Sequence, residues 1–214
     1  MTLRAALIPM KDLAGAKGRL AQALSADERA GLALAMFTDV VSACVASRLF
    51  DLVAVLSSDS DVFWQARELG AKPLAEPATL SGLNDSLRFG QRYLARRMSA
   101  DEVLILPADV PLVQPDDLSA IMDALGERAS AVALVRARDG GTNALAMRPA
   151  EAIDMHFGEQ SADAHSAAAR DAGIAVQEVP LERLQFDVDS RADVEQLRSL
   201  PVGPATRAWL AART

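Results

Sequence analysis

EVLILPADVPLV, residues 102–113, is the stretch on which the reading of this chain turns. Residues 103–106 are four consecutive apolar side chains, too few for a helix, bounded by Glu102 and Pro107. A short continuous apolar run suits a strand covered on both faces, as in a parallel sheet. Pro107 ends the run, because proline has no N–H to give to a ladder. Two residues on stands Asp109, then Pro111, then a new helical pattern from Pro115. Open α/β sheets bind ligands outside the carboxyl ends of their strands. Asp109 is therefore a candidate metal ligand for a bound phosphate ester; its competing role is an Asx-turn or helix-cap carboxylate.

Outward from that strand the chain alternates. Apolar runs at 3–9, 50–56, 71–75, 131–135, 144–147 and 174–179 read as further strands. Between them lie helical patterns. One runs over 25–47, opened by Ser25 with Glu28 three residues later as a capping box. Others cover 59–69, the stretch from 83, 115–127 and 161–172. The alternation argues a three-layer α/β fold, and a late hairpin around Asp139, Gly140 and Gly141 makes its mostly parallel sheet mixed. One domain is expected over 1–200, with a C-terminal tail at 201–214 carrying a short helix. Trp209 in that tail is expected to pack on the body or on a second subunit, so a homodimer is left open. Trp64 is expected in the core.

Composition narrows the classes of function. The 214 residues are 50% hydrophobic and 24% charged, an ordinary globular balance. The net charge of -7 argues against a duplex nucleic-acid partner, whose affinity comes from Lys and Arg neutralising phosphates. The single cysteine, Cys44, allows no disulfide within the chain and sits in an apolar helical run as a core residue. The N-terminus carries no signal-peptide pattern and no apolar run approaches a membrane span, so a cytoplasmic protein without a membrane partner is expected.

Four loops carry candidate chemistry. PMKDLAGAKGRLA, after the first strand, holds Lys11, Lys17 and Arg19 among Gly15 and Gly18. Glycines let a backbone approach a ligand and form an anion nest, and three cations in nine residues suit a triphosphate. The GxxxxGK[ST] string of a P-loop is absent. In EPATLSGLNDSLRFG, Gly82 precedes a helix start crowded with Asn84, Asp85 and Ser86, which read either as caps or as groups meeting a base and ribose. DGGTN places Thr142 and Asn143 beside two glycines, which reads first as plain hairpin chemistry and second as a seat for a carboxylate or phosphate. FGEQSADAH puts Gly158 before a helix starting at Ser161, a further candidate anion seat, with His165 one turn on. Finally, FDVDS spaces Asp187 and Asp189 so that an extended run points both to one face. Paired carboxylates repel unless a cation sits between them, and hard oxygen ligands without cysteine imply Mg²⁺; the rival role is Asp189 or Ser190 capping the following helix.

IPMKDLAGAKGRLA, GLNDSL, LILPADVPLV, DGGTNAL, FGEQSADAH and FDVDSRADV together resemble the guanylyltransferases of deazaflavin-coenzyme biosynthesis that act on 2-phospho-L-lactate or phosphoenolpyruvate. The resemblance spans about residues 3–200. It implies a nucleotidyltransferase-like Rossmann fold and transfer of GMP from GTP to a small phosphorylated three-carbon acid, with release of pyrophosphate. It further implies Asp109, Asp187 and Asp189 as Mg²⁺ ligands, and Thr142, Gly158 and Ser161 at the phosphoenolpyruvate. Lys11, Lys17, Arg19, Gly82, Asn84 and Ser86 fall in nucleotide-binding segments, with Lys17 and Asp109 expected to act in catalysis. The chain departs from the family pattern at Glu159, Gln160 and Ala164, and the choice among phosphoenolpyruvate, phospholactate and 3-phosphoglycerate is open. Two rival functions are a cytidylyl- or molybdopterin-type transferase of the same fold and a nucleotide-binding module without catalysis.

Overall fold

A computed structural model describes residues 2–213; residues 1 and 214, the ends of the expected domain and tail, lie outside the described residues. Seven strands form one sheet: β1 (Arg4–Pro9), β2 (Leu52–Ser57), β3 (Lys72–Ala75), β4 (Glu102–Ile105), β5 (Ala131–Arg136), β6 (Thr142–Arg148) and β7 (Ala175–Glu178), in the order β3-β2-β1-β4-β6-β5-β7. β6 runs antiparallel to β4 and β5, and the remaining pairings are parallel. This is the expected mixed, mostly parallel α/β sheet. The chain moves outward from β1 through β2 and β3, then returns to the other side of β1 as β4. The order therefore reverses between β1 and β4, and such a reversal opens a crevice at the carboxyl ends of the two strands.

The described residues form seven helices: α1 (Ala26–Ser47), α2 (Ser60–Glu68), α3 (Leu83–Arg97), α4 (Pro115–Asp123), α5 (Ser161–Asp171), α6 (Arg191–Leu197) and α7 (Pro204–Ala211); the first five cover the sheet, and α6 and α7 pack outside it in a cluster with α1. The period-two alternation of β1 decides which layer each side chain meets. Ala6 and Ile8 join Phe37 and Val40 of α1, Val62 of α2 and Leu118 of α4. Ala5 and Leu7 join Leu87 and Leu94 of α3 and Ala162 of α5. α3 lies close on β1 because Gly90 has no side chain; a Cβ there would fall 2.8 Å from Leu7.

α1 opens as the sequence predicts: the Ser25 hydroxyl accepts from the Glu28 N–H, and the Glu28 carboxylate accepts from the Ser25 N–H at 2.8 Å. Its 22 residues are long and apolar enough to cross a membrane by length and composition. That corrects the expectation that no segment reaches this standard. Its apolar faces are instead buried against the sheet and against α7. The carboxylate of Asp39 on α1 accepts from the N–H groups of Ala205 (3.0 Å) and Thr206 (2.9 Å) and so caps α7. Trp209 of α7 rests on Gly31 of α1. The tail thus packs on the body of the chain. Cys44 is buried as expected, and burial pushes its thiol up to about 12. Trp64, expected in the core, is 64% exposed on the outer face of α2; an aromatic in an amphipathic helix says nothing of which face it takes.

β4 carries a carboxylate at each end. Glu102, fully buried, accepts from Arg4 at 2.8 Å and from Arg148. A charge that deep is tolerable only when paired. Beyond the other end stands Asp109, at the mouth of the crevice.

Candidate active site

The crevice at the carboxyl ends of β1 and β4 is a cleft of about 340 Å³, lined among others by Lys11, Lys17, Arg19, Leu83, Asp109, Phe157 and Asp189. Three chain segments build its polar floor. The first is the loop after β1, two 3-10 turns at Leu13–Gly15 and Gly18–Leu20. Asp59, which caps α2, also accepts from the Leu13 N–H at 3.0 Å and ties this loop to the β2–α2 corner. Burial raises the Asp59 carboxyl, but the N–H donors of Leu13, Asp61 and Val62 outweigh it and hold the group below its ordinary value. Sequence reasoning saw Asp59 only as a helix start. A Cβ built at Gly15 or Gly18 meets nothing within 4 Å. Packing does not require glycine at either place; a closely approaching ligand would.

The second segment is the turn after β4, carrying Asp109. The third is the run 186–189, where period two sorts the side chains. Phe186 and Val188 are buried beside Leu20 and Met36, and Asp187 and Asp189 take the opposite face. The Val188 N–H donates to the Asp109 carbonyl at 3.3 Å, which lays this run beside Asp109. The Asp187 carboxyl is raised above its ordinary value, by burial first and then by Asp109, with the Asn143 amide at 3.2 Å opposing. The Asp109 and Asp187 carboxyls thus feel one another's charge, and Asp189 lies on the same face of the run as Asp187.

A cation already sits among them. The Lys17 ammonium donates to Asp109 at 2.5 Å and to Asp189 at 3.1 Å, and Arg19 pairs with Asp189 at 2.7 Å. Burial pulls the Lys17 pKa down, but Asp109 and Asp189 more than offset this and hold it above its ordinary value. Lys17 is thus fully charged. Lys17 itself takes a left-handed backbone (φ 51°), which turns its side chain into the cleft. Among the described residues no three acidic, histidine or cysteine side chains form a ready-made metal cluster. The donor set nonetheless fits a hard divalent ion, being carboxylate oxygen throughout, with Asp187 in no ion pair among the described residues. Lys11 is exposed on the rim and makes no ion pair among the described residues.

The two helix starts differ. α3 begins after Gly82 (φ 84°) with no side-chain cap, and the N–H groups of Leu83, Asn84 and Asp85 have no partner among the described residues. That is an open anion seat. At α5 the N–H groups of Ser161, Ala162 and Asp163 are taken by the carbonyls of Gly158, Gly140 and Gln160. The expected amide seat at α5 is therefore closed, and an anion there would meet hydroxyl groups instead. Asn84 and Ser86, expected at the nucleotide, are engaged elsewhere. The Asn84 amide donates to the Phe157 carbonyl (2.9 Å) and accepts from the Phe157 N–H (2.8 Å). The Ser86 hydroxyl, buried, bonds Glu76 at 2.5 Å and the Gly82 carbonyl at 2.9 Å. Both fix the loops around the cleft; the Ser86 hydroxyl is buried, whereas the half-buried Asn84 amide keeps one N–H and one lone pair.

Thr142, Ser161 and His165 do come together. Ser161 and Thr142 lie 3.0 Å apart through their hydroxyls, and Thr142 lies 3.0 Å from His165 Nδ1, all three buried. Burial first, then His156, pushes the imidazole down to about 4. Gly158 (φ 141°) forms the bend before them, a conformation that favours glycine. Thr142 adjoins Asn143 on β6, but the two side chains part: Thr142 meets α5, and the Asn143 amide reaches Asp187.

Residues 4–210 match the family model described as guanylyl transferase CofC like. The phosphoenolpyruvate guanylyltransferase of Sphaerobacter thermophilus is 41% identical over 202 residues, 94% of this chain and 96% of that protein. The 2-phospho-L-lactate guanylyltransferase of Methanothermobacter thermautotrophicus is 36% identical over 205 residues, 96% of this chain and 88% of that protein. Among solved structures, a nucleotidyl transferase from Methanothermobacter superposes over 100% of both chains with a TM-score of 0.66 at 14% identity, a likeness of fold alone.

Proposed function

The chain belongs to the CofC-like guanylyl transferase family, and we propose that its cleft transfers GMP from GTP to the phosphate of a small phosphorylated acid in deazaflavin-coenzyme biosynthesis. A phosphate oxygen of the acid forms a bond to the α-phosphorus of GTP. The bond from that phosphorus to the bridging oxygen breaks, and pyrophosphate leaves with the electron pair. The nucleophile is already an anion, so no general base is needed. That agrees with a site whose buried imidazole is neutral and whose lysine is charged.

The observation that supports this reading is the ion-paired set of Lys17 with Asp109 and Asp189 in the cleft at the strand-order reversal, with Asp187 near enough to Asp109 for its carboxyl to be raised. In our reading the open amides of α3 and the cations Lys11 and Arg19 hold the nucleotide's phosphates, and Leu83 offers an apolar wall to the nucleoside. Thr142, Gly158 and Ser161 form the seat of the acid. Lys17 neutralises charge on the phosphoryl oxygens and aligns them. Asp109, Asp187 and Asp189 would hold Mg²⁺, which when bound neutralises the triphosphate and stabilises the leaving pyrophosphate. For that, Lys17 exchanges its carboxylate partners for phosphate oxygens.

The deciding experiment is mass spectrometry of the products from GTP incubated with phosphoenolpyruvate, 2-phospho-L-lactate or 3-phosphoglycerate, with Mg²⁺ or with a chelator. A guanosine diphosphate-linked acid together with pyrophosphate is expected from at least one acid, in the Mg²⁺ arm only. GTP recovered unchanged with all three acids would sink the proposal, and product formed under chelation would sink its metal part.

A further inference from the structure

His165 is fully buried and at first sight idle in a reaction that needs no base. Its surroundings give it a different use. The His156 backbone N–H donates to His165 Nε2 at 3.0 Å. A backbone amide can only donate, so Nε2 carries no proton, and the neutral ring must bear its proton on Nδ1. Nδ1 faces the Thr142 hydroxyl at 3.0 Å and therefore donates to it. Thr142 in turn lies 3.0 Å from the Ser161 hydroxyl. The two hydroxyls own two protons, and the bond between them uses one. Whichever way that bond points, the other hydroxyl proton has no partner among the described residues. The ring is held in register by its neighbours: Phe157 meets it edge-on with centroids 4.9 Å apart. Phe157 is itself gripped through both main-chain groups by Asn84 of α3.

We propose that His165 is a positioning residue: its Nδ1–H saturates one lone pair of Thr142 and so directs the spare hydroxyl proton of the Thr142–Ser161 pair at an anionic oxygen of the acceptor. The inference rests on the reading of Thr142 and Ser161 as the acceptor seat. It accounts for a feature found in the fold, the closure of α5's amides. With those N–H groups consumed, the acceptor's charge is met by a hydroxyl donor whose direction is imposed from behind. Asn84 extends the same device, because it couples the helix that opens on the nucleotide to the loop carrying the acceptor seat.

The test has two arms. In the first, ¹⁵N NMR of the histidine rings in the ligand-free wild-type protein reads the tautomer directly, and with only two histidines the assignment is tractable. A protonated Nδ1 and a bare Nε2 on His165 are expected; a dominant Nε2–H form overturns the inference whatever the activity. In the second, His165→Phe keeps a ring but removes both nitrogens. Its KM for the acceptor is expected to rise by about 10- to 100-fold, with the KM for GTP within about twofold of wild type. His165→Asn, which places an amide N–H near the Nδ1 position, is expected to recover part of that loss. Equal losses toward GTP and acceptor, or an unchanged acceptor KM in a folded variant, overturn it. Should wild type transfer GMP to none of the three acids, the guanylyl-transfer reading fails, while the NMR arm still decides the hydrogen-bond chain.

Discussion

Replacing His165 with phenylalanine is expected to flatten the acid side of the stability profile. The imidazole is enclosed by Thr142, Ser161, His156 and Phe157, and its folded pKa is pushed down from 6.5 to about 4, by burial first and His156 second. The folded value is the lower one, so on acidification the unfolded chain binds this proton first. The contribution to stability is complete above the unfolded pKa and is lost as pH falls toward the folded one. From pH 7 to pH 5 the unfolded chain gains the proton and the folded chain does not, a loss of about 2 kcal/mol. In a chain of this size that lowers Tm by about 4–8 °C. Thermal unfolding of wild type and His165→Phe at pH 7, 6 and 5 reads the effect. Carboxylates elsewhere weaken both proteins in acid alike, so the quantity of interest is the difference in slope. The variant starts lower at pH 7, because Thr142 and the His156 N–H lose a partner, but falls less on the way to pH 5. Parallel profiles would refute the claim that the fold holds this ring neutral.

Asp109→Ala is expected to abolish pyrophosphate release with the circular dichroism spectrum unchanged, because the side chain lies beyond the end of β4 and supports no packing; normal turnover would remove it from the metal assignment. Adding a chelator to the wild-type enzyme should stop the reaction and excess Mg²⁺ restore it, followed by a coupled pyrophosphate assay. Asn84→Ala should raise the acceptor KM by about tenfold, since its amide holds Phe157 rather than a base; a rise confined to GTP would return Asn84 to the nucleotide. Asp39→Ala removes the cap on α7 and should cost about 1–2 kcal/mol, seen as a drop in denaturation midpoint with unaltered kinetic constants.

Features governed by neighbours in sequence were legible before the fold was known. The capping box of Ser25 and Glu28 closes within one turn, so local chemistry decides it. Asp187 and Asp189 point together because Phe186 and Val188, which alternate with them, must be buried, a pattern written in four residues. The apolar run before Pro107 announces a covered strand for the same reason. What escaped depends on partners far along the chain. Asn84 looks like any polar residue at a helix start, and its partner is 73 positions away. Ser86 differs from a ligand-facing serine only because Glu76 reaches it. Trp64 sits in a helix whose buried stripe needs no aromatic, so its exposure was invisible. The start of α5 is closed in part by the Gly140 carbonyl, which reaches the Ala162 N–H from a separate turn, and backbone partners leave no mark on composition. The 17–189 and 109–17 ion pairs are likewise products of topology: the strand-order reversal brings these loops together.

The clasp between Asp39 and the start of α7 ties together parts of the chain 166 and 167 positions apart. The Asp39 carboxylate lies on a face of α1 that is otherwise apolar, and it is only 8% exposed. With α7 undocked, that anion would stand uncompensated beside an apolar seam, a costly arrangement. Docking of the last helix and closure of this side of the first are therefore one cooperative event, and fraying of either element loosens the other.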